Sequence, residues 1–126
     1  MHEMGIVIHV ARTIQELAVE NHLKKVGSVT LQYGEVTGVI PDMMVDCWNY
    51  FKKKEGYELI TDAELKMEMI PAVTYCESCQ KTYETMKYGK ICPHCGSKET
   101  YLLEGNGYSI KEIEAEEDEA YQGEAE

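Results

Sequence analysis

Four of the five cysteines form two C-x-x-C pairs, Cys76 with Cys79 and Cys92 with Cys95, separated by twelve residues. Two residues between cysteines allow one tight turn to direct both sulfur atoms toward the same ion, and Gly96 supports such a turn. Four thiolates fill the tetrahedral shell that Zn(II) prefers and leave no position open for a substrate. The spacing therefore predicts a structural zinc site. Iron also accepts four sulfur ligands, and four unrelated thiols are the simpler alternative.

A second candidate metal site lies at the start of the chain, which reads Met1-His2-Glu3. The α-amino nitrogen, the backbone nitrogen of residue 2 and the His2 imidazole can wrap one ion in fused chelate rings. Ni(II) favours planar or tetragonal nitrogen ligands of this kind, and Glu3 could add an oxygen. The alternative is an initiator methionine followed by a surface histidine, because motifs this short often match by chance.

Composition and charge narrow the class of protein. The chain has 126 residues, of which 23 are acidic and 12 basic, so its formal net charge is −11. Such a surface repels phosphate backbones and anionic lipid. No apolar run has the length of a membrane helix, and the N-terminus lacks the features of a signal peptide. We therefore expect a cytoplasmic protein, in which paired cysteines indicate metal binding rather than disulfides.

Hydrophobic periodicity predicts the elements that position these residues. Residues 4–25 have the spacing of a helix that stops at Gly27, and Pro41 suits the first turn of a second helix. Alternating apolar residues predict strands at residues 29–33, 63–69 and 108–113. The predicted fold class is α+β: a small α/β nickel-binding domain, with two helices on a three-stranded sheet, carries an inserted four-cysteine zinc ribbon.

The same pattern divides the chain. We expect a discontinuous α/β domain at residues 1–70 plus 106–116, a zinc ribbon at residues 71–105, and an acidic disordered tail at residues 117–126. The ribbon holds four lysines and four acidic residues between positions 72 and 105, and its thiolates add negative charge. A ribbon that binds nucleic acid is normally basic, so this balance argues against that role.

Several motifs together resemble the HypA/HybF family of hydrogenase maturation proteins. They are M-H-E-M at residues 1–4, G-E-V-T-G-V at 34–39, the first cysteine pair, and C-P-H-C-G-S at 92–97. The resemblance spans residues 1–114 and implies a nickel metallochaperone for [NiFe]-hydrogenase, with some members also serving urease. It implies that His2 is the principal nickel ligand and Glu3 a supporting one, beside the Met1 amine. It also implies that the four paired cysteines hold structural Zn(II), while Ni(II) is a transient cargo.

The resemblance further implies two protein partners, a HypB-type maturation GTPase and the hydrogenase large subunit, without nucleic acid or membrane. In one respect this sequence departs from the family pattern. Some members use an acidic residue in the loop before the second helix, where this chain offers only Asp42, which suits the first helical turn instead. We leave Asp42 out of the predicted site.

Two other functions compete with this one. A zinc-ribbon module for protein interaction or nucleic-acid binding is the alternative from another class. An enzyme is not expected, because the sequence offers no nucleophile–base pair, no phosphate loop and no open metal site.

Overall fold

The computed structural model describes residues 3–117 as a mixed α+β protein. Its helices are α1 (Glu3–Glu20), α2 (Pro41–Phe51) and the one-turn α3 (Thr85–Tyr88), with short 3₁₀ turns at Glu35–Thr37 and Glu58–Ile60. Its strands are β1 (Leu23–Gly34), β2 (Glu64–Ile70), β3 (Val73–Cys76), β4 (Thr82–Glu84), β5 (Thr100–Glu104) and β6 (Tyr108–Glu117). The predicted fold class is confirmed.

The strands form two three-stranded sheets, with the orders β2-β1-β6 and β4-β3-β5. In the second sheet, β3 pairs antiparallel with both of its neighbours. In the first sheet β1 is central, and its residues 28–31 are all buried. Consecutive burial means that this strand is covered on both faces, although its sequence had predicted a half-buried strand.

The described chain forms two compact units. The first unit comprises residues up to Leu31, Val39–Met67 and the chain from Ile110 onward. The second comprises Gln32–Gly38 and Glu68–Ser109, and it contains the four paired cysteines. The boundaries that we predicted for the domains at residues 70 and 106 stay a prediction. The proposed acidic tail beyond Glu117 lies outside the described residues.

The first unit is built around the apolar faces of α1 and α2. On α1 the buried positions recur at helical spacing, at Ile6, Val7, Val10, Ala11, Ile14 and Ala18. Leu17 shares the helical spacing of these residues but is exposed. Met44 and Trp48 are the buried residues of α2, and the helix begins at Pro41 as predicted.

One boundary in this unit was predicted wrongly. α1 ends at Glu20, where we expected helix to residue 25, and Gly27 lies within β1 instead of stopping a helix. His22 has a φ of 54°, a left-handed conformation that ends a helix. Val26 then turns into the core, so tertiary packing converts the last predicted helical turn into the start of the strand. None of the helices within residues 3–117 has the length and hydrophobicity to cross a bilayer.

A hydrogen bond of Trp48 connects α2 to the segment before β2. Its indole Nε1–H donates to the backbone oxygen of Ala63 at 2.9 Å in a buried position, and Lys52 Nζ donates to the same oxygen at 3.0 Å. A buried Trp usually finds such a partner, because an unpaired N–H in the core is costly. The bond therefore fixes the rotation of α2.

We expect Trp48→Phe to lower the free energy of unfolding by about 2 kcal/mol, because it removes a buried hydrogen bond and leaves a small cavity. Urea unfolding followed by circular dichroism measures this change. Tyr50→Phe is the matched control, since Tyr50 lies on the same helix with 62% of its surface exposed. Equal destabilisation by the two variants would contradict the role given to the indole.

Candidate metal centres

The four paired cysteines converge in the second unit. Their sulfur atoms all lie within 4.8 Å of one another. The Sγ atoms of Cys76 and Cys95 are 3.6 Å apart, and so are those of Cys79 and Cys92. None of the cysteines is in a disulfide. A tetrahedral ion with metal–sulfur bonds near 2.3 Å requires sulfur–sulfur separations of about 3.8 Å, so the cluster has the dimensions of a four-thiolate metal site.

Both cysteine pairs sit in turns of the same construction. In the first turn, the N–H of Gln80 donates to the oxygen of Cys76 at 2.8 Å; in the second, Gly96 donates to Cys92 at 2.8 Å. Each turn needs a left-handed residue at its end, with φ of 60° at Gln80 and 75° at Gly96. Gly96 therefore has the role that its sequence position predicted.

A hydroxyl contact accompanies the two turns. Ser78 Oγ and Ser97 Oγ lie 2.8 Å apart, one from each turn. His94, inside the second turn, has an exposed side chain, and its backbone N–H donates to Cys92 Sγ at 3.4 Å. The histidine thus contributes its amide to the cluster, and four sulfur atoms supply the donor set without its ring.

The thiols influence one another strongly. The N–H of Cys79 holds the pKa of the Cys76 thiol below its usual range, at about 7. For Cys95 the N–H of Ser97 lowers the pKa, but burial and the neighbouring thiols outweigh it and raise the pKa to about 12. Burial likewise raises the pKa of Cys79. One thiol ionises readily and makes the next ionisations harder, a cost that a divalent cation at the centre would remove.

Two of the four cysteines, Cys76 and Cys92, also lie in the interior of this unit. Among the described residues, the buried hydrophobic cluster there consists of Cys76, Tyr83 and Cys92, with Cys79 packed against it. The Tyr83 hydroxyl donates to the oxygen of Gly89 at 2.8 Å. So small a core supplies little hydrophobic stabilisation, and a bound metal would add what packing does not.

The segments that lead into this unit are held by close backbone contacts. A side chain at Gly34 would overlap the backbone of Gly105, and one at Gly105, which has φ of 99°, would overlap Ala72. Glu35 Oε1 accepts the N–H of Ala72 at 2.9 Å, four residues before Cys76. The G-E dipeptide at 34–35 therefore serves a close chain crossing, which the sequence alone did not reveal.

The N-terminal candidate site is described only in part. Met1 and His2 lie outside the described residues, so their roles as nickel ligands stay predictions. Glu3 is the first residue of α1 and is 6% exposed. Its Oε2 accepts the backbone N–H of Ile40 at 3.1 Å. Asp42 occupies the first turn of α2, as expected when we left it out of the site.

Ile40 is the position that sequence reasoning missed. It lies directly before α2 and is 37 residues from Glu3 in the chain. Periodicity reports which face of an element is buried, but not which backbone N–H a distant carboxylate will meet. The sequence shows an acidic residue near the start of a predicted helix, but neither its burial nor its partner can be read from that.

An α+β fold with a four-sulfur cluster of these dimensions has the donor set of a metal-binding protein. The family model described as hydrogenase/urease nickel incorporation, metallochaperone HypA matches residues 1–115. The chain belongs to the HypA family. The resemblance read from its motifs is confirmed, and with it the role of nickel metallochaperone in hydrogenase maturation.

Individual relatives agree with this assignment. The hydrogenase maturation factor HypA of Aquifex aeolicus (strain VF5) is 34% identical, over 94% of this chain and 100% of its own. The factor of the same name from Actinobacillus succinogenes is 29% identical, over 92% of this chain and its full length. The solution structure of the Ni metallochaperone HypA from Helicobacter pylori has a TM-score of 0.69 at 22% identity, covering 94% of this chain and 100% of that one. That likeness supports the fold.

We expect the purified chain to bind one divalent ion at the cysteine cluster and Cys76→Ser to lose most of this uptake, because the site loses one of four thiolates. Elemental analysis after dialysis measures the content. Cys47→Ser is the matched control, since Cys47 is on α2 and packs against the core of the first unit. Equal metal content in the two variants would contradict the assignment.

Proposed function

We propose that the chain carries Ni(II) at its N-terminus and hands it to the maturation machinery of a [NiFe]-hydrogenase, or of urease. The observation that carries this proposal is the family match over residues 1–115, which includes the Met1-His2-Glu3 start. The proposed donors are the Met1 amine, the backbone nitrogen of residue 2 and the His2 imidazole, with Glu3 in support. Nitrogen donors in a plane suit Ni(II).

We propose that the cysteine cluster holds Zn(II) in a structural role. Cys76, Cys79, Cys92 and Cys95 offer sulfur atoms at tetrahedral spacing, and Zn(II) is the divalent ion that such sites commonly hold. Four thiolates would fill the coordination shell, so the ion would have no open position at which to bind a substrate. The zinc would instead keep β3, β4 and β5 folded around a buried cluster in which, among the described residues, Tyr83 is the one member that is not a cysteine.

The proposed mechanism is ligand exchange without covalent catalysis. A donor set at the extreme end of the chain can be approached by an acceptor's own ligands while the donor protein stays folded. Binding requires an unprotonated amine and a neutral imidazole, so a falling pH should favour release. A HypB-type maturation GTPase and the hydrogenase large subunit are the proposed partners. The proposed location is the cytoplasm, whose reducing conditions preserve thiolate ligands.

The zinc-ribbon module remains the alternative function, and a gel shift distinguishes it. It requires a basic ribbon face, whereas the four lysines between residues 72 and 105 are matched by four acidic residues. Retention of mixed oligonucleotides at physiological salt would favour the alternative over the nickel carrier.

His2→Ala should abolish tight Ni(II) binding and leave the zinc content intact, because it removes one donor of the chelate and none of the cluster. Calorimetric titration with Ni(II), together with zinc analysis of the same sample, measures both effects. His9→Ala is the control, since His9 has an exposed side chain on α1. Nickel affinity that survives in His2→Ala would remove the proposed site.

One additional residue before Met1 should weaken nickel binding at least ten-fold, because it moves the free amine out of the chelate ring. The comparison requires untagged protein with a verified N-terminus, titrated with Ni(II) beside the extended form. Identical affinities for the two forms would show that the terminal amine is not a ligand.

A further inference from the structure

We infer that the Glu3 carboxylate is a positioning residue of the nickel site, which acts by anchoring the start of α1 to the backbone N–H of Ile40. The inference rests on the proposed nickel site at Met1 and His2 and specifies how Glu3 supports it.

The placement of Glu3 is unusual for the first residue of a helix. Helix starts are commonly solvated, yet Glu3 is only 6% exposed. Burying a carboxylate is unfavourable unless hydrogen bonds compensate it. Oε2 of Glu3 accepts the Ile40 N–H at 3.1 Å, so the carboxylate is held by a residue 37 positions away. This contact ties the beginning of the chain to the loop before α2.

The loop before α2 has a helix start that no side chain of its own caps. Ile40 is the N-cap residue of α2, and no side-chain hydrogen bond caps that helix start. The N-terminal end of a helix carries unsatisfied N–H groups and partial positive charge, which favour a nearby carboxylate. Ile40 has φ −101° and ψ 109°, the extended conformation expected before Pro41, so its N–H direction is fixed. Glu3 therefore brings a second carboxylate to the start of α2, in addition to Asp42 in the first turn of that helix.

The consequence for nickel follows from chain connectivity. The three proposed nitrogen donors belong to the two residues directly before Glu3. A chain end that is anchored at residue 3 has fewer conformations to lose when it closes around an ion than an end that moves freely. A carboxylate held by a backbone N–H in a buried position suits this anchoring role better than exchange with an acceptor protein.

The experiment titrates Ni(II) alone into the full chain and five variants, with the absorption spectrum of bound Ni(II) recorded for each. Glu3→Ala removes the acceptor, and Ile40→Pro removes the donor while keeping the carboxylate. We expect each to weaken nickel binding roughly ten-fold without changing the spectrum, and the double variant to be no weaker than Glu3→Ala. Glu3→Gln keeps an acceptor oxygen and should restore most of the affinity. Ile40→Val, which keeps the N–H, should bind as the wild type does.

Two results would overturn the inference. One is Glu3→Gln binding as weakly as Glu3→Ala with an altered spectrum, which would mean that the carboxylate coordinates nickel. The other is a folded Ile40→Pro with wild-type affinity. Trp48 fluorescence shows whether each variant is folded. If Ile40→Pro does not fold, the comparison of Glu3→Ala with Glu3→Gln tests the inference without it. A wild-type chain that binds no nickel would instead refute the proposed function itself.

Discussion

The cysteine-bearing unit is constrained by how little apolar surface it can bury. Within residues 3–117, two of the three residues in its buried cluster are cysteines, Cys76 and Cys92, and the third is Tyr83. Two of the four residues that would bind a metal thus also fill the interior. A unit of this kind would gain from a bound ion the stability that the first unit gains from packing α1, α2 and Trp48. Packing and coordination cannot be altered separately here.

Two carboxylates, those of Glu35 and Glu3, each accept a hydrogen bond from a distant backbone N–H group. Glu35 accepts the N–H of Ala72, and Ile40 donates its N–H to Glu3. Each contact joins residues 37 positions apart and satisfies a backbone group at the edge of a regular element. Acidic residues in this chain therefore do more than supply its net charge of −11.

The sequence was informative where a single short-range rule operates. C-x-x-C spacing located the cluster, Pro41 located the start of α2, and periodicity located the core face of α1. The sequence-based prediction failed at residues 21–27. The apolar spacing and Gly27 predicted the end of a helix there, but Val26 is buried in the core as part of β1. The partners of Glu3 and Glu35 were equally out of reach, because each pairing is decided by the tertiary path of the chain.

The discontinuity of the cysteine-bearing unit has a consequence for protein engineering and for the evolution of the family. The unit that holds the cysteines is assembled from two stretches, Gln32–Gly38 and Glu68–Ser109, and Gly34 has no room for a side chain beside Gly105. Transplanting only Glu68–Ser109 into a foreign scaffold would leave Gly105 without Gly34, the residue that packs closely against it. Recombination between relatives should accordingly exchange both stretches together, so that these distant parts of the gene are inherited as one module.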